Sequence, residues 1–432
     1  MTIKQIKNKL INIYNSAIEK ASPCIAVREN IKFSGNSLEI KGETFKFKKI
    51  FIAGFGKASC AMAQGILDVI PKEIIEGAVI TKYGHSLPLA KIEIIEAGHP
   101  VPDENSIKGA EKIITYLTKA SYDDLVIFLI SGGGSAIIEK PREGISLSDI
   151  KVMTEVLLRT EAKIQEINII RKHLSEIKGG GLARLAYPAN FISLIISDVI
   201  GSDISAIASG PTCGDPSTFK DCLDIIEKYD LSDKIPVSIK NLILKGIYGE
   251  IADTPFPDDL LFKRNMNYIL LDNKKFCHIL NDEAKKEGFK TVYIKTPFTT
   301  GTGEDFIKGL RALIKSYSGE KLLILGGEVT FKIPRASGKG GRNQHLSLLY
   351  TRDILPYYPD TCAMFASTDG TDGPTEGSGG FSHRGLLKKD IKELTEAIDN
   401  YDSYNFLKNH DELFTTGPTG NNLNDVFLIY TL

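Results

Sequence analysis

No stretch of this sequence holds the ~18 consecutive apolar residues that a bilayer-spanning helix requires, so no membrane protein is expected. Neither sign of charge dominates: 53 Lys and Arg against 54 Asp and Glu leave a formal charge of -1, and the basic residues are scattered, which argues against broad nucleic-acid binding. Cysteine is scarce and dispersed. Cys24, Cys60, Cys213, Cys222, Cys277 and Cys362 form no C-x-x-C pair and no disulfide framework, and they read as buried thiols in a reducing cytoplasm. The seven histidines supply neither H-E-x-x-H nor a pair at ligand spacing, which leaves no ligand set for a protein-bound transition metal. Mg²⁺ carried in by a substrate is untouched by that argument. The opening MTIKQIKNKL alternates charges with aliphatics and lacks the apolar stretch of a signal peptide, so export is not expected. Without repeats of 20 to 50 residues or low-complexity tracts, solenoids and propellers drop out.

What is present is an α/β pattern. At roughly 100 to 200 residues per domain, 432 residues allow two to four domains. Ile3, Ile6, Leu10, Ile13 and Ala17 recur at helical steps and predict an amphipathic opening helix. Apolar runs at 49–53, 78–81, 92–97, 125–130 and 192–196 then alternate with helical stretches near 58–70, 105–120 and 147–159, as in a parallel sheet covered by helices. LVIFLI at 125–130 is apolar on both faces, as a central strand should be. IADTPFPDDLLFK, near 250–265, concentrates proline and aspartate and predicts a surface linker, hence domains at 1–255 and 256–432. Beyond it NYILLD, TVYI, KLLILGGE, CAMFAST and DVFLIYTL, with helices near 273–287 and 303–318, read as a second α/β lobe.

The 39 glycines gather where strands end. GFGKAS at 54–59 follows a strand and opens a helix, so Lys57 is expected in a first turn beside free amides that suit an anion. The plainer reading is a tight turn with a solvated lysine. SGGGSA at 131–136 is stronger, because three consecutive glycines lose backbone entropy unless something must come close. RKHLSEIKGGG brings Arg171, Lys172, His173 and Lys178 next to Gly179 and Gly180, either for a polyphosphate or carboxylate or as a basic helix end. Ser197, Asp198 and Asp203 follow a strand where acids organise Mg²⁺ or accept a hydroxyl proton, unless they are N-caps. In the second half GKGGRNQ offers Lys339 and Arg342 to a carboxylate or phosphate, and STDGTDGPT offers Asp369 and Asp372, with D-G turns as the bland alternative.

Taken in order, GFGKAS, AGHPVPDENS, SGGGSA, INIIRKHLSEIKGGGLA, ISDVIGSDISAIASGPT, GGEVT, GKGGRNQ, STDGTDGPTEGSGG and TGPTGNNLND resemble the ATP-dependent glycerate 2-kinases, whose C-terminal part is called the MOFRL domain. The blocks span about residues 50 to 430. The resemblance implies two α/β/α lobes, a Rossmann-like parallel sheet first and a smaller MOFRL lobe with a mixed sheet second, with the active site between them. It implies ATP and Mg²⁺ as cofactors and D-glycerate as the substrate, phosphorylated at its 2-hydroxyl. On it, Lys57 and Arg342 hold glycerate and the migrating phosphoryl group, with Asp372 beside the substrate. Ser131, Gly132, Gly133, Gly134 and Ser135 line the nucleotide phosphates, with Lys172, Lys178, Gly179 and Gly180 nearby. Asp198 and Asp369 are the Mg²⁺ candidates, and which of Asp198, Asp369 and Asp372 orients the metal or takes the hydroxyl proton stays open. Cys60 after the lysine loop, Gly420 in TGPTG and the lack of a terminal basic residue depart from the family pattern.

Two other readings compete. A hydroxypyruvate reductase using NAD(P)H would explain a nucleotide turn, but GFGKAS has Ser59 where the dinucleotide fingerprint wants a third glycine, and no ribose-binding acid ends GAVITK. A non-catalytic nucleotide sensor would bind ATP without turnover. Nothing in the sequence separates a monomer from a homodimer.

Overall fold

The computed structural model describes residues 1–431 apart from 264, 291, 299–300, 317–318, 334–337 and 389–390. The chain divides into two units, Pro23–Leu270 and Met1–Ser22 with Leu271–Leu432. The N-terminal part holds a parallel sheet and the C-terminal part a mixed one, both with helices.

In the first unit six strands lie in the order Ile92–Ala97, Ile75–Lys82, Ile50–Phe55, Leu125–Ser131, Asn190–Ile196, Met266–Leu271. The chain enters at the middle, works outward through two strands, then returns to the other side of its first strand. The order therefore reverses between Ile50–Phe55 and Leu125–Ser131, the crevice where open α/β sheets bind ligands. All seven residues of Leu125–Ser131 are buried, and Val126, Phe128 and Ile130 join Phe51, Ala53 and Phe55 in one core with Ala110, Ile113 and Leu117 of the helix Glu104–Leu117. This is why LVIFLI carries no polar alternation. Removing the Phe128 ring would cost about 3–5 kcal/mol. A second core joins the helices Leu147–Leu158, Ile164–His173, Phe219–Lys228 and Val237–Ile247. Three short antiparallel strands, Ile31–Ser34, Ser37–Ile40 and Glu43–Lys46, escaped the sequence reading because each is only four residues long.

In the second unit the order is Val292–Lys295, Lys321–Gly327, Asp425–Thr431, Thr361–Ser367, Gly379–His383, Leu413–Phe414. The first pair is parallel, and the strand Asp425–Thr431 runs antiparallel to both its neighbours. The last strand of the chain is thus central, which accounts for the full burial of DVFLIYT. Thr291 of the expected strand TVYI, and the last two residues of the helix expected to 318, lie outside the described residues.

The division differs from the expected single boundary at 255. The proline- and aspartate-rich stretch returns the chain to the first sheet, where Met266–Leu271 is the edge strand. The opening helix Ile3–Lys20 belongs with the second unit. Its stripe Ile6, Leu10, Ile13 and Ala17 is buried, the Tyr14 hydroxyl donates to the Ser367 carbonyl at 2.6 Å, and Lys7 pairs with Glu412 at 2.5 Å. An amphipathic stripe announces that a helix is covered but not by what.

Candidate active site

Parallel register brings three chemically distinct segments out of one edge of the first sheet. Phe55 pairs with Ile130, and Ser131 with Ile196, so Lys57, the glycine loop and Asp198 all follow the carboxyl ends of adjacent strands. The first two loops are tied together: Lys57 N–H donates to the Gly132 carbonyl at 3.0 Å, and Ala58 N–H to Ser131 Oγ at 3.0 Å. Gly56 has φ +114, and a Cβ there would sit 2.4 Å from the Ser131 carbonyl oxygen, so only glycine lets the loops close on each other.

This geometry redistributes the roles expected of the two loops. The amides at the head of GFGKAS already have acceptors within the protein, so they are not the anion cradle. The amides of Gly132, Gly133, Gly134 and Ser135 have no acceptor among the described residues. The Lys57 ammonium likewise has no hydrogen-bond or ion-pair partner among them. His99 lies over Gly133, and burial, with the nearby Lys57 charge second, pushes its imidazole down to about 4. It is therefore neutral at physiological pH and adds no charge to the loop.

The basic segment is used differently from expectation. Lys172 is buried against Asp215 at 3.3 Å, and Lys178 is buried against Glu139. Asp215 also accepts from the hydroxyls of Ser217 and Thr254, at 2.8 and 3.0 Å. Gly179 N–H and Gly180 N–H donate to the carbonyls of Ser209 and Gly210, at 3.0 and 2.8 Å. These two glycines take positive φ to seat the turn on the loop 207–214, and their amides are not offered to a ligand. His173 is buried beside the Phe219 ring and reaches Asp253 at 3.4 Å. Arg171 differs from its neighbours: half-buried, its guanidinium has no partner among the described residues.

In the second unit Arg342 opens the helix Arg342–Asp353, and its guanidinium pairs with Glu328 and, at 3.4 Å, with Asp425. Asp372, expected beside the substrate, caps that helix instead. Its carboxylate accepts from Asn343 N–H at 3.1 Å and Gln344 N–H at 2.8 Å, and it is 3% exposed. It holds two orphan amides of the first turn and does not face solvent. A Cβ on Gly341 would lie 2.2 Å from the Asp372 carboxyl carbon, which explains the last glycine of GKGGRNQ. Asp369 is half-buried, and its Oδ1 accepts from Ser367 Oγ and from the backbone and hydroxyl of Thr371, at 2.9, 2.9 and 3.0 Å. Exposed Lys339 lies over the Tyr404 ring at 4.3 Å.

Sequence reasoning missed Asp425, which is fully buried, accepts from Asn343 Nδ2 at 2.9 Å, and is pushed up to about 7 by burial against the pull of Arg342. Burial likewise lifts Asp372 to about 6. The acid opening an otherwise apolar terminal strand was the available signal. Among the described residues no three His, Cys, Asp or Glu gather as a metal cage. Asp198 and Asp369 therefore stand as single carboxylates and not as parts of a cage.

Known proteins match this chain over nearly its whole length. A domain of unknown function, DUF4147, matches residues 9–244, and the MOFRL family matches residues 321–425. A glycerate 2-kinase of Pyrococcus horikoshii is 40% identical over 99% of this chain and 97% of its own. The chain belongs to the glycerate 2-kinase family. The crystal structure of a glycerate kinase from Thermotoga maritima superposes with a TM-score of 0.85 at 34% identity, covering 99% of this chain and 100% of that one. An Agrobacterium vitis relative named as a hydroxypyruvate reductase is 35% identical over 96% of this chain and 92% of its own, so the reductase name also occurs within the glycerate 2-kinase family.

Proposed function

We propose that this chain is a kinase that transfers the γ-phosphoryl group of ATP to the 2-hydroxyl of D-glycerate, giving 2-phosphoglycerate and ADP. The observation that carries the reading is the switch-point crevice, where the four consecutive amides of Gly132 to Ser135 have no acceptor among the described residues, and where the adjoining loop carries Lys57, whose ammonium has no partner among them. Backbone donors at such a position suit phosphate oxygens. The family supplies the acceptor, since full-length relatives are named glycerate 2-kinases.

Phosphoryl transfer depends on positioning and on neutralising charge. In this reading the amides of Gly132 to Ser135 hold the nucleotide phosphates and Lys57 meets the migrating group. Arg342 grips the glycerate carboxylate with the N–H groups that Glu328 and Asp425 leave unused. Asp372 is withdrawn from the acid–base candidates because both its oxygens hold the helix. We assign the metal-facing role to Asp198, which leaves the sheet on the same edge as the glycine loop. The proton of the 2-hydroxyl goes to Asp369, in the unit that carries Arg342. Mg²⁺ on the phosphates would spread the charge of the transferred group. We place the reaction in the cytoplasm, consistent with six free cysteines.

The test is ³¹P NMR of the product formed from D-glycerate, ATP and Mg²⁺. A 2-phosphoglycerate resonance is expected. The 3-isomer would overturn the regiochemistry, and absence of any phosphoglycerate would overturn the kinase. The reductase alternative predicts oxidation of NADH or NADPH with hydroxypyruvate, and none is expected here.

A further inference from the structure

Within the first unit a cavity of about 440 Å³ opens next to the glycine loop. Gly133 and Ser135 form part of its wall. Its interior is apolar, with Met153, Leu157, Ile170 and Leu174 all buried, and its mouth carries Val101 and Leu158, which are 56% and 66% exposed. Of the charged residues that line it, Lys151, Glu155 and Arg171 are not fully buried, whereas Glu139 and Lys178 are nearly fully buried and bonded to each other. Neither is saturated. The Lys178 ammonium has three N–H groups and one partner among the described residues. Glu139 accepts from Ser175 Oγ and Lys140 N–H at one oxygen, and from Lys178 alone at the other. Arg171, whose guanidinium has no partner among the described residues, lines the same cavity.

The lining selects among occupants. A three-carbon hydroxy acid would leave the aliphatic walls uncovered, and an alkyl chain would leave a buried ion pair facing hydrocarbon. A flat heteroaromatic ring whose edge carries an amino donor beside a ring-nitrogen acceptor satisfies both. Cavities of this size with apolar walls and a few convergent polar groups are typical of such ligands. We propose that this cavity is the nucleoside pocket of the phosphoryl donor. The base lies among Met153, Leu157 and Ile170, Glu139 accepts from its amino group, Lys178 donates to its ring nitrogen, and the phosphates run out over Gly133 and Ser135. The proposal rests on the kinase reading for the identity of the nucleotide, and names the part of the protein that recognises it.

The chain contains no tryptophan, so a single introduced indole reports locally. In Leu158→Trp, at the exposed mouth, ADP should change the emission saturably, with the affinity that calorimetry gives for the unaltered protein. Tyr357→Trp, exposed in the other unit, should show no change. Met153→Trp, which fills the cavity, should bind ADP at least tenfold more weakly, with the KM for D-glycerate changed less than twofold. Purine riboside diphosphate, lacking the amino group, should bind the unaltered protein about tenfold more weakly than ADP, as loss of a hydrogen bond to a charged acceptor implies. The proposal is overturned if calorimetry shows ADP bound while Leu158→Trp emission stays constant, or if folded Met153→Trp keeps its ADP affinity. It is also overturned if no ADP binds at all. Failure of glycerate phosphorylation would sink the kinase reading alone, because the ADP titrations decide the pocket without turnover.

Discussion

Asp425 carries the sharpest quantitative expectation. The folded protein holds its proton up to about pH 7, whereas an unfolded chain releases it near the usual 3.8. Between those values the native state binds more protons than the unfolded one, so stability is greatest below 3.8 and falls as pH rises through 7. From pH 5 to pH 8 the loss assigned to this group is about 2–3 kcal/mol. In a unit of this size that corresponds to roughly 5–10 °C in Tm. Asp425→Asn removes the titration while keeping an amide near Arg342 and Asn343. Calorimetric melting at pH 5, 6, 7 and 8 should therefore show a shallower decline in the variant by that amount. Asp372, pushed to about 6, contributes its own decline, and because its charge also acts on Asp425 the pair Asp372→Asn and Asp372→Asn with Asp425→Asn is melted alongside to separate the two. Melting curves that fall in parallel would refute the argument, since they would mean that the carboxyl is ionised at pH 5 despite its burial. The sequence retains a buried acid beside Arg342, a strongly perturbed group of the kind that gathers at functional sites. In the proposed reaction Asp425 would act by positioning the guanidinium that grips glycerate, so kcat/KM of Asp425→Asn should fall mainly through a raised KM for glycerate.

Lys57→Ala should leave a folded protein with kcat/KM lowered by about 30-fold or more, equivalent to about 2 kcal/mol, and a folded variant with full turnover would remove Lys57 from the reaction. Arg342→Lys should lose nearly as much as Arg342→Ala, because one ammonium cannot replace a fork that pairs with Glu328 and Asp425 and, in the proposed reaction, also grips a substrate carboxylate; steady-state kinetics on glycerate decide it. Asp372→Ala should lower stability by about 1–3 kcal/mol through the stranded amides of Asn343 and Gln344. Unchanged denaturation with a raised glycerate KM would restore it to the substrate.

The sequence by itself determined the local elements and the places where chemistry collects. The run LVIFLI had to be a strand buried on both faces, the 3.6-residue stripe of Ile6, Leu10, Ile13 and Ala17 had to be a covered helix, and glycines after strands had to mark loops approached by something. Family blocks in order fixed the two-lobed α/β class. What the sequence left undetermined was who meets whom. Whether a glycine amide is free or bonded depends on the carbonyl that folding brings to it, which is why Gly132 and Gly133 find no acceptor among the described residues while Gly179 and Gly180 are bonded to Ser209 and Gly210. Whether an aspartate caps a helix or faces a ligand depends on contacts across tens of residues, as between Asp372 and Asn343 or Asp425 and Arg342. The proline-rich stretch near 255 reads as a boundary in one dimension, yet the chain returned to pair one more strand. Local backbone preference is written in neighbouring residues, whereas burial, pairing and charge compensation are properties of distant segments brought together, and only the tertiary structure assigns them.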